Sequence, residues 1–237
     1  MRINVYSLIE GAKKARGVAV IIDVFRAFSF ECYLARNNAE KIIPVASKEL
    51  AYELKRKNPD YILAGERRGV MLPGFDFGNS PAQIENVDFT GKTVVHTTSA
   101  GTQGLENAVN AREVLTGSLC NAGAIAEYIK RYRAGEEISL VRMGNDGILP
   151  AEEDDLCAEY LKNLLEDKKT DISERIERLK TTGGERFFDA ARQDVMPERD
   201  FFLSTAIDKF DFVLRFKYDS DGLGYIRKID INPKGLI

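Results

Sequence analysis

The chain is poor in the residues that most often carry metal and redox chemistry. Among 237 residues there are one His and three Cys. The lone His96 cannot supply a His-rich metal cage or a two-His phosphatase site. Cys32, Cys120 and Cys157 are odd in number and far apart, so neither a disulfide framework nor a zinc knuckle is expected, and a reducing cytoplasm is the default setting. The Cys-x5-Arg loop of thiol phosphatases would need Arg at 38, 126 or 163, where the chain has Asn38, Ala126 and Asn163. Asp23 is followed by Val24 and Phe25, which breaks the Asp-x-Asp pattern of haloacid-type phosphatases. Neither a Gly-x4-Gly-Lys-Ser/Thr loop nor a Gly-x-Ser-x-Gly elbow occurs. Long apolar runs are missing too. The longest clean one is Val18–Ile22, against the roughly 20 residues a membrane span needs. The opening MRINVYSLIEGAKK lacks an apolar core, so no secretory signal is expected. Positive charge is not in excess: 34 Lys and Arg stand against 37 Asp and Glu, a net charge of -3. That excludes a broadly basic nucleic-acid binder and leaves room for a local basic pocket.

What is present is an alternation. Short apolar, β-branched runs at Val18–Ile22, Lys41–Val45, Tyr61–Ala64, Thr93–His96, Glu113–Thr116 and Ile138–Met143 read as strands. Their near-continuous hydrophobicity suits strands covered on both faces. The intervening segments 26–39, 47–57, 100–110, 121–134 and 152–167 read as helices. In the last, Leu156, Tyr160, Leu161, Leu164 and Leu165 form a core-packing stripe. The pattern predicts a layered α/β/α fold with a mostly parallel sheet. After about residue 170 the rhythm changes. Residues 171–180 and 185–192 read as short charged helices, and Phe212–Tyr218 with Gly224–Ile231 as a β-hairpin around Asp219–Gly224. One domain over residues 1–237, with a C-terminal appendage from about 171, is the expected organisation.

Polar residues collect where the strands end. In a parallel sheet those ends share one edge, and ligands of open α/β folds bind there. Asp23 follows the first buried strand and reads as a metal ligand or catalytic acid, or else as a helix cap. Arg26 is placed to hold an anion with its planar fork. Glu66 and Arg67 end another strand, as a functional pair or a simple turn ion pair. Thr97–Thr102 offers hydroxyls and N–H groups for an anion at a helix start, beyond what a plain N-cap requires. Glu152–Asp155 open a helix, where acids favour the macrodipole. Four in a row also invite a divalent cation such as Mg2+, which takes one or two carboxylates, water and substrate phosphate. His96 reads as structural and Cys157 as a buried small hydrophobe.

Six ordered blocks then carry a family resemblance: Asp23-Val24-Phe25-Arg26-Ala27, Leu63-Ala64-Gly65-Glu66-Arg67, Gly74-Phe75-Asp76-Phe77-Gly78-Asn79-Ser80-Pro81, Gly91–Thr98, Gly117-Ser118 with Asn121-Ala122, and Gly144–Gly147 with Glu153–Ala158. Together they resemble the 2-phosphosulfolactate phosphatase family over about residues 18–160, with weaker similarity through Pro197–Val213. The resemblance implies a Mg2+-dependent hydrolase converting 2-phospho-3-sulfolactate to 3-sulfolactate and phosphate, a step of coenzyme M biosynthesis in methanogens. Many members occur in bacteria that do not make that coenzyme. Two blocks depart from the usual pattern: Phe28 replaces a hydroxyl residue, and Ser99-Ala100-Gly101-Thr102 lacks the customary Asn.

Joined to the positional reading, this gives an expected site. Asp23, Arg26 and Glu66 are catalytic. Arg67, Asn79, Ser80, Thr97, Thr98, Ser99, Gly101, Thr102 and Asn121 bind substrate or phosphate. Asp23, Glu153 and Asp154 bind Mg2+. The expected partner is a small anionic phosphoester, with no nucleic acid and no membrane, and a homodimer is left open. A non-catalytic anion-binding module, a phosphatase for a different hydroxy-acid phosphate, and an isomerase or lyase using the acids for proton abstraction are the competing readings.

Overall fold

The computed structural model describes residues 1–231. In chain order the first half runs β1 (Arg2–Ser7), α1 (Leu8–Lys14), β2 (Val18–Ile22), α2 (Ala27–Arg36), β3 (Lys41–Pro44), α3 (Lys48–Lys57), β4 (Ile62–Arg67), β5 (Val70–Met71) and α4 (Pro81–Ile84). It continues with β6 (Thr93–Thr97), α5 (Gly101–Asn107), β7 (Glu113–Gly117), α6 (Ala122–Tyr132), β8 (Glu137–Arg142) and α7 (Glu152–Leu165). The C-terminal part holds α8 (Ser173–Leu179), α9 (Glu198–Ser204) and the strands β9 (Phe212–Tyr218) and β10 (Gly224–Asp230).

All ten strands form one sheet in the order β1-β8-β2-β7-β9-β10-β3-β6-β4-β5. The runs read as buried strands behave as expected of strands covered on both faces. In β2, Ala19 and Ile21 join one apolar cluster with α1, α2 and α5, while Val18, Val20 and Ile22 join another with α6 and α7. Across the sheet, Ile42 and Val94 face the first cluster, and their chain neighbours Ile43 and Val95 pack with Ala51 of α3 on the opposite face. The fold is therefore α/β, with helical layers on both sides of a mostly parallel sheet.

The expected C-terminal hairpin is present, and its two strands are built into the sheet. β9 pairs with β7 and β10 with β3, both antiparallel, so the hairpin is the seam between two parallel groups, β1-β8-β2-β7 and β3-β6-β4. Three successive antiparallel pairings reverse direction an odd number of times. The two groups thus run in opposite senses, and their carboxyl ends could not share one edge of a flat sheet. Strands of a sheet twist by about 20–25° from one to the next, so the sheet is not flat. The carboxyl ends of β2 and β8 and those of β4 and β6 then meet at one cavity.

Sequence reading passed over β1, whose half-buried RINVYS lacks an apolar run, and the two-residue β5. The segment 185–192, expected as a helix, is two short 3-10 turns, Glu185–Phe187 and Ala190–Arg192. No helix of the described residues is long and apolar enough to cross a membrane.

Candidate active site

The cavity where the two groups meet has a volume of about 270 Å³. Asp23 and Phe25 beyond β2, and Gly144, Asn145 and Asp146 beyond β8, supply one side. Glu66 near the end of β4, Arg68 and Gly69 of the β4–β5 turn, Asn79, and Thr98, Ser99 and Ala100 after β6 supply the other. Arg186, Arg192 and Met196, from the segment between α8 and α9, complete the wall.

Asp23 is the acid at the centre. One oxygen accepts from the Ala27 N–H at 3.2 Å. Burial, and then the negative charges of Glu66 and Glu153, push its carboxyl up to about 7 against the pull of the Ala27 and Gly101 amides. Glu66 holds the opposite wall together. Its oxygens accept from the Ser99 N–H at 2.8 Å, the Ser99 hydroxyl at 3.2 Å and the Gly69 N–H at 2.5 Å.

The acids at the start of α7 divide by role. Asp154 accepts from the Val24 N–H at 2.9 Å and the Gly144 N–H at 2.7 Å, so it ties the ends of β2 and β8 together from beneath the cavity. Burial first, then the charges of Asp23 and Glu153, hold its carboxyl well above the usual range. Glu153 is buried beside Arg186, 3.4 Å away. Its carboxyl is raised by burial and drawn back down by that guanidinium. The structure thus brings Asp23, Glu153 and Asp154 together, but Asp154 engages a backbone N–H with each oxygen. Among the described residues no three His, Cys, Asp or Glu side chains converge to hold a metal ion. Mg2+ needs no such cage. A buried carboxyl among other acids, open to a polar cavity, suits a cation held by Asp23 and completed by water and phosphate oxygens, with Glu153 adding charge nearby.

The expected anion-binding turn is largely self-satisfied. Thr98 and Thr102 bond to one another: the Thr102 hydroxyl accepts from the Thr98 N–H, and the Thr98 hydroxyl from the Thr102 N–H. Ser99 is taken up by Glu66. Thr97 accepts from Arg67. Gly101 is a packing position, since a Cβ there would lie 2.8 Å from the Ala27 Cβ and 2.9 Å from an Asp23 oxygen. Only Thr98 and Ser99 of the five expected contacts in this turn reach the cavity. Arg67 binds the carbonyls of Glu66 and Ala46 and lies outside the cavity wall. Ser80 donates to Asp200. Asn121 is buried at the start of α6, accepting from the Ser118 N–H. Asn79 does line the cavity, and among the described residues its buried side-chain oxygen has no hydrogen-bond partner.

Arg26, expected to clamp substrate, lines the cavity and is braced on three sides. Its guanidinium donates to Asp200 at 2.7 Å, to the Val195 carbonyl at 3.0 Å and to the Gly69 carbonyl at 3.2 Å. Sequence reasoning missed Asp200, and also Arg186 and Arg192, because the charged stretch after 170 reads as solvated surface. A denser signal was there: four Arg or Lys and a Gly-Gly pair lie within 178–192. Arg186 lies over the rings of Phe25 and Phe187, at 5.8 and 5.4 Å from their centres.

Comparison with known proteins gives the family. A family model described as 2-phosphosulpholactate phosphatase matches residues 3–215. A Bacillus subtilis protein named Probable 2-phosphosulfolactate phosphatase is 32% identical over 207 residues, covering 86% of this chain and 89% of its own. Proteins of the same name from Carboxydothermus hydrogenoformans and Clostridium perfringens are 37% and 31% identical. They cover 74% and 84% of this chain, and 72% and 86% of their own. Fold and matches together define the class, that of α/β phosphomonoester hydrolases. The chain belongs to the 2-phosphosulfolactate phosphatase family.

Proposed function

We propose that this protein hydrolyses 2-phosphosulfolactate to 3-sulfolactate and phosphate, and that it does so with Mg2+. The observation that carries the reading is the cavity itself. A raised, buried carboxyl, Asp23, faces a small polar space walled by Arg68, Arg186 and Arg192 in a protein of net charge -3. Such a substrate carries phosphate, carboxylate and sulfonate, about four negative charges near neutral pH. Hydrolysis of a phosphomonoester is mainly a matter of positioning and charge neutralisation, so a single structural His is no obstacle.

The roles follow from the geometry. Arg186, stacked on Phe25 beside Glu153, draws the phosphoryl group toward Asp23. Asp23, with a pKa near 7, is suited to accept a proton from an attacking water or to attack phosphorus directly. Glu66 fixes the facing wall by holding Ser99 and Gly69. Asp154 keeps the ends of β2 and β8 in register beneath the acid. Bound at Asp23, Mg2+ would supply further neutralisation of phosphate charge.

Phosphate release from a panel of phosphoesters, measured with Mg2+ and again with EDTA, tests this reading. Release from 2-phosphosulfolactate that EDTA abolishes is expected. No release from any phosphoester would leave a binding module. Conversion of a phosphate-free substrate would indicate a lyase or isomerase.

A further inference from the structure

The arginines around the cavity fall into two sets. Arg186 belongs to the Asp23 side: its neighbours are Glu153, Asn145 and the Phe25 ring. Arg68 and Arg192 belong to the other side. Both are exposed and line the cavity, and among the described residues neither guanidinium has a hydrogen bond or an ion pair. Their side chains are unengaged, but the backbones that carry them are fixed. Arg68 donates its N–H to the Ser99 hydroxyl at 3.1 Å, and Glu66 holds the next N–H, that of Gly69. Arg192 sits in the 3-10 turn capped by Asp189, and its carbonyl accepts from Val195 and Met196. The two loops are then joined by a single group. Arg26 donates at once to the Gly69 carbonyl, one residue after Arg68, and to the Val195 carbonyl, three residues after Arg192. Asp200 anchors Arg26 from below at 2.7 Å.

We infer that Arg68 and Arg192 form a clamp for the anionic end of the substrate that does not react, with Arg26 as the residue that positions both. The ligand chemistry is a sulfonate or carboxylate carried on the carbon next to the phosphoester. Two unpaired guanidiniums on pinned loops can meet two such oxyanions, while Arg186 and Asp23 face the phosphoryl group. Specificity for a polyanionic substrate then resides in the β4–β5 turn together with the segment between α8 and α9. This assignment rests on the reading of the cavity as a phosphatase site.

The test compares 2-phosphosulfolactate with 2-phospholactate, which lacks the sulfonate, in the wild type, Arg68→Gln, Arg192→Gln and the double variant. Loss of a charge-assisted contact should cut the preference for the sulfonated ester by roughly ten- to a hundredfold, mainly through KM. A preference within twofold of wild type in the double variant would overturn the clamp. Calorimetry of 3-sulfolactate against lactate binding, on the same proteins, separates this inference from the proposed reaction. A wild type that turns over neither ester but prefers 3-sulfolactate, and loses that preference in the double variant, keeps the clamp and removes the phosphatase reading. Equal binding of the two anions by the wild type would remove the clamp. Melting curves of the variants confirm folding, which exposed positions should preserve.

Discussion

At the scale of single residues, Asp23, Arg26 and Gly101 make the sharpest predictions. A carboxyl whose folded pKa is raised contributes stability that is complete below its unfolded pKa, here 3.8, and is lost as pH rises through about 7. Asn carries no charge at any of these pH values. In EDTA, Asp23→Asn should therefore melt roughly 5–10 °C above wild type at pH 8, with the gap closing toward pH 4. A gap that stays constant with pH would show that Asp23 is not strained by burial and its acidic neighbours. Arg26→Lys keeps the charge and abandons the fork that reaches Asp200 and two carbonyls. It should lower stability by about 1.5–3 kcal/mol, seen as a fall in urea midpoint at unchanged slope. An unshifted midpoint would mean the brace is slack. Gly101→Val would press on Asp23 and α2 before it met any ligand, so it should reduce both stability and turnover. Normal stability with lost phosphate binding would restore the reading of Gly101 as an anion contact.

At the scale of elements, the buried strands were the legible part. Val18–Ile22 announces itself because a strand buried on both faces favours apolar residues at every position. Asp23 was legible for the same reason, as the polar residue that ends this run. The segment between α8 and α9 was not. Its Arg186 and Arg192 have the composition of a solvated helix, and only tertiary contact, with Glu153 and Phe25 for Arg186 and through the Arg26 brace to the β4–β5 turn for the Arg192 loop, makes them part of a wall. Thr97–Thr102 misled in the opposite way. Its donors look free in sequence, but Glu66 and the Thr98–Thr102 pair take most of them. The hairpin gives the element-scale prediction. As the seam of the sheet, β9 and β10 are indispensable, so a chain ending at residue 210 should fail to fold, as judged by circular dichroism and gel filtration. A folded, cooperative product would return the hairpin to the periphery.

At the scale of the whole molecule, two parallel groups of opposite sense meet across an antiparallel seam, and the cavity lies where their carboxyl ends converge. No reading of strand ends in sequence distinguishes this from a single parallel edge, because pairing across the seam is set by residues more than a hundred positions apart, such as Val114 and Phe216. The same arrangement gives the cavity its two-sided character, with Asp23 from one group and Glu66 from the other. The central claim is that this junction is where a phosphomonoester is hydrolysed, and the most direct measurement is the kcat/KM of wild type and Asp23→Asn for 2-phosphosulfolactate with saturating Mg2+. Loss of the central acid should cost at least a hundredfold, as expected for a general base or nucleophile, with the melting transition intact. Turnover by Asp23→Asn within a fewfold of wild type would place the chemistry elsewhere in the molecule.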